Sequence, residues 1–278
     1  MKPLLEIDYK NIDIEDLIEI FSQSILGHTR PLFRDFSSKA FFRARKINGV
    51  KDDELEKTKS IWYPDWSEIK PEHYTYNRCS NKGENFFYAS NSIEATVREM
   101  NLVDGDRLLI GIFKPNNSNV IIPSQFAGIE KIKKAETFER ILSNHKYRSV
   151  KDMEFEEWIA SFFEKKVSLG DECFYKTCIA FSKILLSSED TKCLIYPSVA
   201  SNSQFVNFGI KPDFVDEFLW CDQAFIYNVL VEDNLLSLIP EKYSSSEVNF
   251  DSHPKNWNLN WKENTQMIKL NGVKVYGL

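Results

Sequence analysis

Two groups of side chains in this sequence could do chemistry together, and the first would hold an anion. Phe41-Phe42-Arg43-Ala44-Arg45 places two arginines two residues apart, and a third, Arg78, sits in the turn-rich run Tyr76-Asn77-Arg78-Cys79-Ser80-Asn81-Lys82-Gly83. A guanidinium is a planar fork of N–H donors that grips a phosphate or carboxylate by paired hydrogen bonds. The overall charge of −6 does not oppose this, because a few arginines can make one cleft positive on an acidic protein. It does argue against a nucleic-acid partner, which calls for a basic balance or a basic stripe.

The second group surrounds a carboxylate. Phe86-Phe87-Tyr88-Ala89-Ser90 is an aromatic run of strand character, and a helix is expected just after it, near 91–101. Asn91 is a suitable cap for that helix, with Glu94 three residues on completing a capping box. Ile93, Val97 and Met100 then define its buried face, and at ~100° per residue Glu99 falls on the flank of that face. Such a carboxylate is either a boundary residue paired with a surface lysine or a group aimed into a cleft. Taken singly, the other candidates have ordinary explanations too. An arginine in a strand is usually a surface charge, Tyr88 a core aromatic, and Ser198 after Pro197 a turn residue.

Several other chemistries are disfavoured. His28, His73, His145 and His253 stand alone, with no HxH, HExxH or Cys/His spacing, so no metal is expected. The five cysteines, Cys79, Cys173, Cys178, Cys193 and Cys221, are odd in number and contain no CxxC, which argues against a disulfide framework. There is no Walker loop and no G-x-G-x-x-G after a strand, so a Rossmann-type oxidoreductase is not expected. No G-x-S-x-G elbow surrounds Ser198, so it is not read as a nucleophile. The N-terminal residues lack the apolar stretch of a secretion signal, and runs such as Leu108–Phe113 are far too short to span a bilayer. A cytoplasmic protein with no membrane partner is the expectation.

The elements that must position these groups follow from periodicity. Residues 13–26 carry Ile14, Leu17, Ile18, Phe21 and Ile25 on one helical face, with acids in the first turn. Further helices are expected near 134–147, 151–166 and 173–187. Strands are expected at Phe86–Ala89, Leu108–Phe113, Lys192–Tyr196, Phe205–Ile210 and Ala224–Val231, with a short last one at Val273–Tyr276. Lys46–Lys82 reads as a long irregular segment and Tyr243–Asn260 as a surface loop. Strands and helices are interspersed with no regular βαβ beat, so the fold class is α+β. With 42% hydrophobic and 27% charged residues the chain is globular in composition and not disordered.

Taken in order, these segments resemble the signature of RES-domain proteins, a family named for an Arg, a Glu and a Ser. The resemblance is carried by Arg43 and Arg45 with their preceding aromatics, by Arg78-Cys79-Ser80-Asn81-Lys82-Gly83, by Phe86 to Ser90, and by Ala95-Thr96-Val97-Arg98-Glu99. Ile195-Tyr196-Pro197-Ser198, followed by Asn207-Phe208, completes it. The match covers roughly residues 38–212 of one RES-like domain, with an N-terminal helical segment 1–35 and a C-terminal extension 213–278 that contains strands. The sequence departs from the family pattern in the Arg78 loop, which has no aromatic, few glycines, and Lys82 where a small residue is common.

The resemblance implies an ADP-ribosyltransferase-like split β-sheet core whose cleft binds NAD as a substrate. It further implies cleavage of the nicotinamide–ribose bond, with Glu99, Arg43 and Ser198 as the catalytic set. Arg43, Arg45, Arg78, Tyr88 and Asn207 would bind the dinucleotide, and no metal would be needed. Hydrolysis or phosphorolysis of NAD would make the protein a growth-arresting toxin or defence effector, with a neutralising antitoxin as partner. Transfer of ADP-ribose to a protein or small molecule is the alternative, and a catalytically inactive RES-like binding module is the second. A homo-oligomer is compatible with either.

Overall fold

The computed structural model describes residues 8, 10–28, 32–34, 36–135, 138, 142, 149–167, 171–199, 204–233 and 235–263. Its helices are α1 (Ile14–Ile25), α2 (Ile93–Arg98), α3 (Ile129–Ile132), α4 (Val150–Phe163), α5 (Tyr175–Leu185) and α6 (Pro212–Phe218). Its strands are β1 (Phe41–Lys46), β2 (Phe87–Ser90), β3 (Arg107–Pro115), β4 (Ser124–Phe126), β5 (Cys193–Pro197), β6 (Val206–Ile210), β7 (Leu219–Glu232), β8 (Leu235–Glu247), β9 (Asn258–Leu259) and β10 (Lys262–Glu263). The class is mixed α+β with mostly antiparallel pairing. The chain divides into two interleaved compact units: Met1–Phe36, Pro64–Phe86 and Ile121–Lys211 form the first, and Ser37–Tyr63, Phe87–Val120 and Pro212–Leu278 the second.

The first unit is built on aromatic packing. In α1 the buried Ile14, Leu17, Phe21 and Ile25 fall on one face, and Glu15 and Asp16 sit in the first turn, where the helix dipole favours negative charge. Phe21 stacks on Phe181 of α5 at 4.2 Å and meets Trp158 of α4 edge-on at 5.9 Å. Such pairs contribute about 0.5–1.5 kcal/mol each beyond the area they bury. Helix α4 starts at Ser149, whose hydroxyl accepts the Asp152 N–H at 3.2 Å. Strand β5 pairs antiparallel with β6 and parallel with β4, and every residue of the three is buried.

The second unit is an antiparallel sheet in the order β10-β8-β7-β3-β1-β2, with β9 also on β8. Helix α2 ends at Arg98, short of the expected 101, and lays Val97 and Ile93 against Leu108, Ile110, Tyr227 and Val229, with Met100 of the turn after it joining the same cluster. Arg43 pairs with Gly111 across β1 and β3. A Cβ on Gly111 would lie 2.8 Å from Ile61 Cγ1, so only glycine lets that side chain lie flat on the strand.

Several expectations need correction. The cap of α2 is Ser92, not Asn91: its hydroxyl accepts the Ala95 N–H at 3.0 Å. Glu94 is turned instead to Arg98, 2.7 Å away and one helical turn on. The supposed loop from Tyr243 begins as strand, because β8 runs to Glu247, and the rest holds a 3-10 turn at Pro254–Asn256 and β9. Lys46–Lys82 is irregular as expected but carries four 3-10 turns, Asp52–Leu55, Thr58–Ser60, Trp66–Glu68 and Pro71–His73. Most of the helix expected near 134–147, and the strand at Val273–Tyr276, lie outside the described residues. Among the described residues, no helix is long and apolar enough to cross a membrane.

Candidate functional site

In the second unit, Arg43 lies mid-strand and half-buried. Its Nε–H donates to the Ile61 carbonyl at 2.9 Å and its Nη1–H to the Tyr88 carbonyl at 2.8 Å. The charge centre lies 5.4 Å from the centroid of the Phe87 ring. Arg45, two residues on, is exposed and donates from Nη1 to the Ser60 carbonyl at 2.9 Å. Two of the five N–H donors on Arg43 are thus committed to backbone.

Among the described residues, no carboxylate neutralises Arg43 or Arg45. The electrostatics register this. Burial first, and then repulsion from Arg45, pull the Arg43 guanidinium down to about 10, opposed by the nearby Tyr88 phenol in its ionised form. At neutral pH the group remains a cation whose charge is stabilised only by carbonyl oxygens and a ring face. An arriving anion would relieve both the desolvation and the repulsion.

Segments 45 residues apart meet here because β1 and β2 pair, with Phe42 opposite Ser90. Helix α2 follows β2 directly and is tied to β1 by Thr96, whose hydroxyl donates to the Phe42 carbonyl at 3.1 Å. Glu99 is the C-terminal cap of α2, half-buried, its N–H on the Ala95 carbonyl at 3.2 Å. It forms no ion pair with either arginine of β1. The second unit therefore brings Arg43, Arg45 and Tyr88 together and carries Glu99 on the adjoining helix.

Arg78, Ser198 and Asn207 belong to the first unit. Arg78 donates from Nη1 to the Lys165 carbonyl at 3.2 Å, lies 5.3 Å from the Tyr175 ring centroid, and touches the Cys178 thiol. Its carbonyl accepts the Ser182 hydroxyl at 3.2 Å. The turn after it is fixed by Gly83 at φ +73, where a side chain would collide with the Tyr74 ring. Cys79 packs on Gly209 of β6, two residues from Asn207. Burial pushes the Cys79 thiol up to about 12 and Cys178 to about 11, so neither is a thiolate nucleophile. Ser198 follows β5, fully buried, and its N–H donates to the Phe205 carbonyl at 3.0 Å. Asn207, also buried, pairs with Tyr196, which lies two residues before Ser198. Ser198 and Asn207 are thus neighbours at one end of the β5–β6 hairpin.

Two other features were not visible in the sequence. A cleft of about 570 Å3 in the second unit is lined by Asp52, Asp53, Glu56, Lys242, Asn258 and Trp261. Three carboxylates against one lysine make it a poor receptor for phosphates, and none of the expected residues lines it. The other feature is Asp216, on which Trp62, Tyr63 and His253 converge. No spacing rule relates residues so far apart in the chain. Among the described residues no group of three or more His, Cys, Asp or Glu side chains could hold a metal ion. Compared with known proteins, the chain matches no family model and no curated sequence.

Proposed function

We propose that this protein consumes NAD, breaking the bond between nicotinamide and ribose. The observation that carries the proposal is the pair of guanidiniums on β1, un-neutralised by any carboxylate among the described residues and set beside Tyr88. These are the residues through which the sequence resembles the RES domain, and the ADP-ribosyltransferase-like split sheet is part of the same proposal. Arg43 and Arg45 keep donors for a pyrophosphate, and Tyr88 offers a ring face to the cationic nicotinamide.

The chemistry asks for little machinery. Nicotinamide leaves as a neutral base from a pyridinium, so no general acid has to protonate it, unlike an ordinary glycosidic leaving group. Glu99 supplies the one charge the transition state needs. It binds ribose hydroxyls and stabilises the positive charge that grows at the anomeric carbon. The parts given to Arg78 (phosphate), Ser198 and Asn207 (hydrogen bonds to amide or ribose) rest on the resemblance in sequence. Water or phosphate then takes the ADP-ribose, and a protein that drains NAD in this way fits a toxin held in check by an antitoxin.

The test is release of nicotinamide from NAD by the purified chain, with and without phosphate. Wild type should release it and Glu99→Ala should lose at least about a hundredfold in rate, the usual worth of one electrostatic group. No release in any buffer would sink the proposal. Label from NAD on a protein would instead favour mono-ADP-ribosyl transfer.

A further inference from the structure

We infer that Asp216, on α6, is a positioning residue that fixes the orientation of Arg43 through the segment Ser60–Tyr63. The inference deepens the proposed function, since it names what aims the anion-binding guanidinium. The Asp216 carboxylate accepts the Trp62 indole N–H at 3.0 Å on Oδ1 and the Tyr63 hydroxyl at 2.6 Å on Oδ2. A third donor stands 3.6 Å from Oδ1, His253 Nε2. Its proton position follows from the other ring nitrogen, because His253 Nδ1 accepts the Lys255 N–H at 3.1 Å and so leaves the neutral ring's hydrogen on Nε2.

The same short segment is what Arg43 and Arg45 hold from the other side. The Ile61 carbonyl receives Arg43 Nε–H and the Ser60 carbonyl receives Arg45 Nη1–H. The Ile61 side chain is fully buried against Gly111, and Trp62 packs on Phe113 at 5.3 Å. Phe113 in turn meets Phe87 edge-on at 4.8 Å, and Phe87 is the ring under Arg43. Asp216 therefore reaches Arg43 by two routes, the backbone of 61–63 and a row of three aromatic rings. A segment with no regular secondary structure over 61–63 has few ladder bonds of its own to hold it. One carboxylate fixing two consecutive side chains sets the carbonyl that precedes them.

The test reads Arg43 directly in the intact protein. Hydrogen exchange at the Arg43 Nε–H is followed by NMR in wild type, Asp216→Ala, Asp216→Asn and Tyr63→Phe. Asp216→Ala should speed that exchange by about tenfold or more while the β3 amides of Leu109 and Ile110 keep their protection. Asn, which retains an acceptor for the indole, should restore most of it, and Tyr63→Phe should fall between. Unchanged Arg43 exchange, or equal acceleration throughout the sheet, would overturn the inference. A second arm measures NAD binding by Arg43→Ala, Asp216→Ala and the double variant. If Asp216 acts through Arg43, the double loss is at least about threefold smaller than the product of the single losses. If wild type binds no NAD, the proposed function fails while the exchange arm still decides the role of Asp216.

Discussion

Two hidden carboxylates, Asp106 of the second unit and Glu156 of the first, are partnered in opposite ways. In the second, Asp106 of the turn before β3 is 4% exposed and takes side-chain donors, Lys46 Nζ at 2.8 Å and Asn48 Nδ2 at 2.7 Å, besides the Val103 N–H at 2.8 Å. In the first, Glu156 of α4 is equally hidden from solvent and receives only backbone, the Gly128 N–H at 3.2 Å and that of Ile129. Lys176 of α5 mirrors it, 8% exposed and donating to the carbonyls of Lys10 and Ile12. Both carboxylates are hidden from solvent, but Glu156 lies deeper in the protein than Asp106, so depth and partner together set the outcome. The Lys46 ammonium and the other donors overcome desolvation and hold Asp106 down to about 2, whereas burial drives Glu156 up to about 7 against the pull of two N–H groups. Burial sets the cost of a charge, and the donors decide whether the protein keeps it.

The largest test of this contrast is the pH dependence of stability. Glu156 has a folded pKa above its unfolded value, so its contribution is complete below about 4.5 and disappears as the pH rises through about 7. Urea titrations should show a loss of about 3 kcal/mol over that window. Glu156→Gln should remove this loss, and an unchanged profile in that variant would break the comparison. Asp106 runs the other way, its contribution present above 3.8 and lost as the pH falls through about 2. Asp106→Asn should cost about 2 kcal/mol at pH 7, because Lys46 and Val103 lose a charged acceptor. Lys176→Met should cost about 1–2 kcal/mol by freeing two carbonyls, with faster amide exchange confined to the start of α1. Arg34→Ala should change the melting point least, within about 0.5 kcal/mol, since its pair with Asp190 is 66% and 65% exposed. A larger effect there would mean that surface pairs, not buried ones, carry the electrostatics of the first unit.

What the sequence made legible was whatever repeats with a local period. Helix α1 emerged from Ile14, Leu17, Phe21 and Ile25, and β3 from an unbroken apolar run, because one face of each must be hidden. Strand β8 did not emerge, since Tyr243-Ser244-Ser245-Ser246 has no apolar alternation; β7 specifies it from outside by a register that includes Ala224 opposite Ser244. The cap of α2 was misplaced by one residue because Asn91 and Ser92 are equally good oxygens in sequence, and only the backbone turn chooses between them. In the candidate site, the residue types were readable but their commitments were not. Nothing in Phe-Arg-Ala-Arg announces that Arg43 would give two donors to carbonyls 18 and 45 positions away. Asp216 was hidden for the same reason, its partners being 154, 153 and 37 residues distant.

Strand β8 carries Pro240 in its interior, at a break in register where Ile226 faces Lys242 but Tyr227 faces Pro240. The residue skipped is Glu241, whose carboxylate is thereby free to grip Arg107 of β3. A proline can occupy a strand only where no ladder bond is asked of its nitrogen. Among the described residues, β7 is the only strand paired with β8 over Leu235–Glu241. The missing N–H and the bulge interrupt the row of donors and acceptors that a second apolar strand would need for growth. Pro240 thus denies one donor to any strand that would lie beside β8, and the bulge that skips Glu241 commits that residue's carboxylate to Arg107 instead.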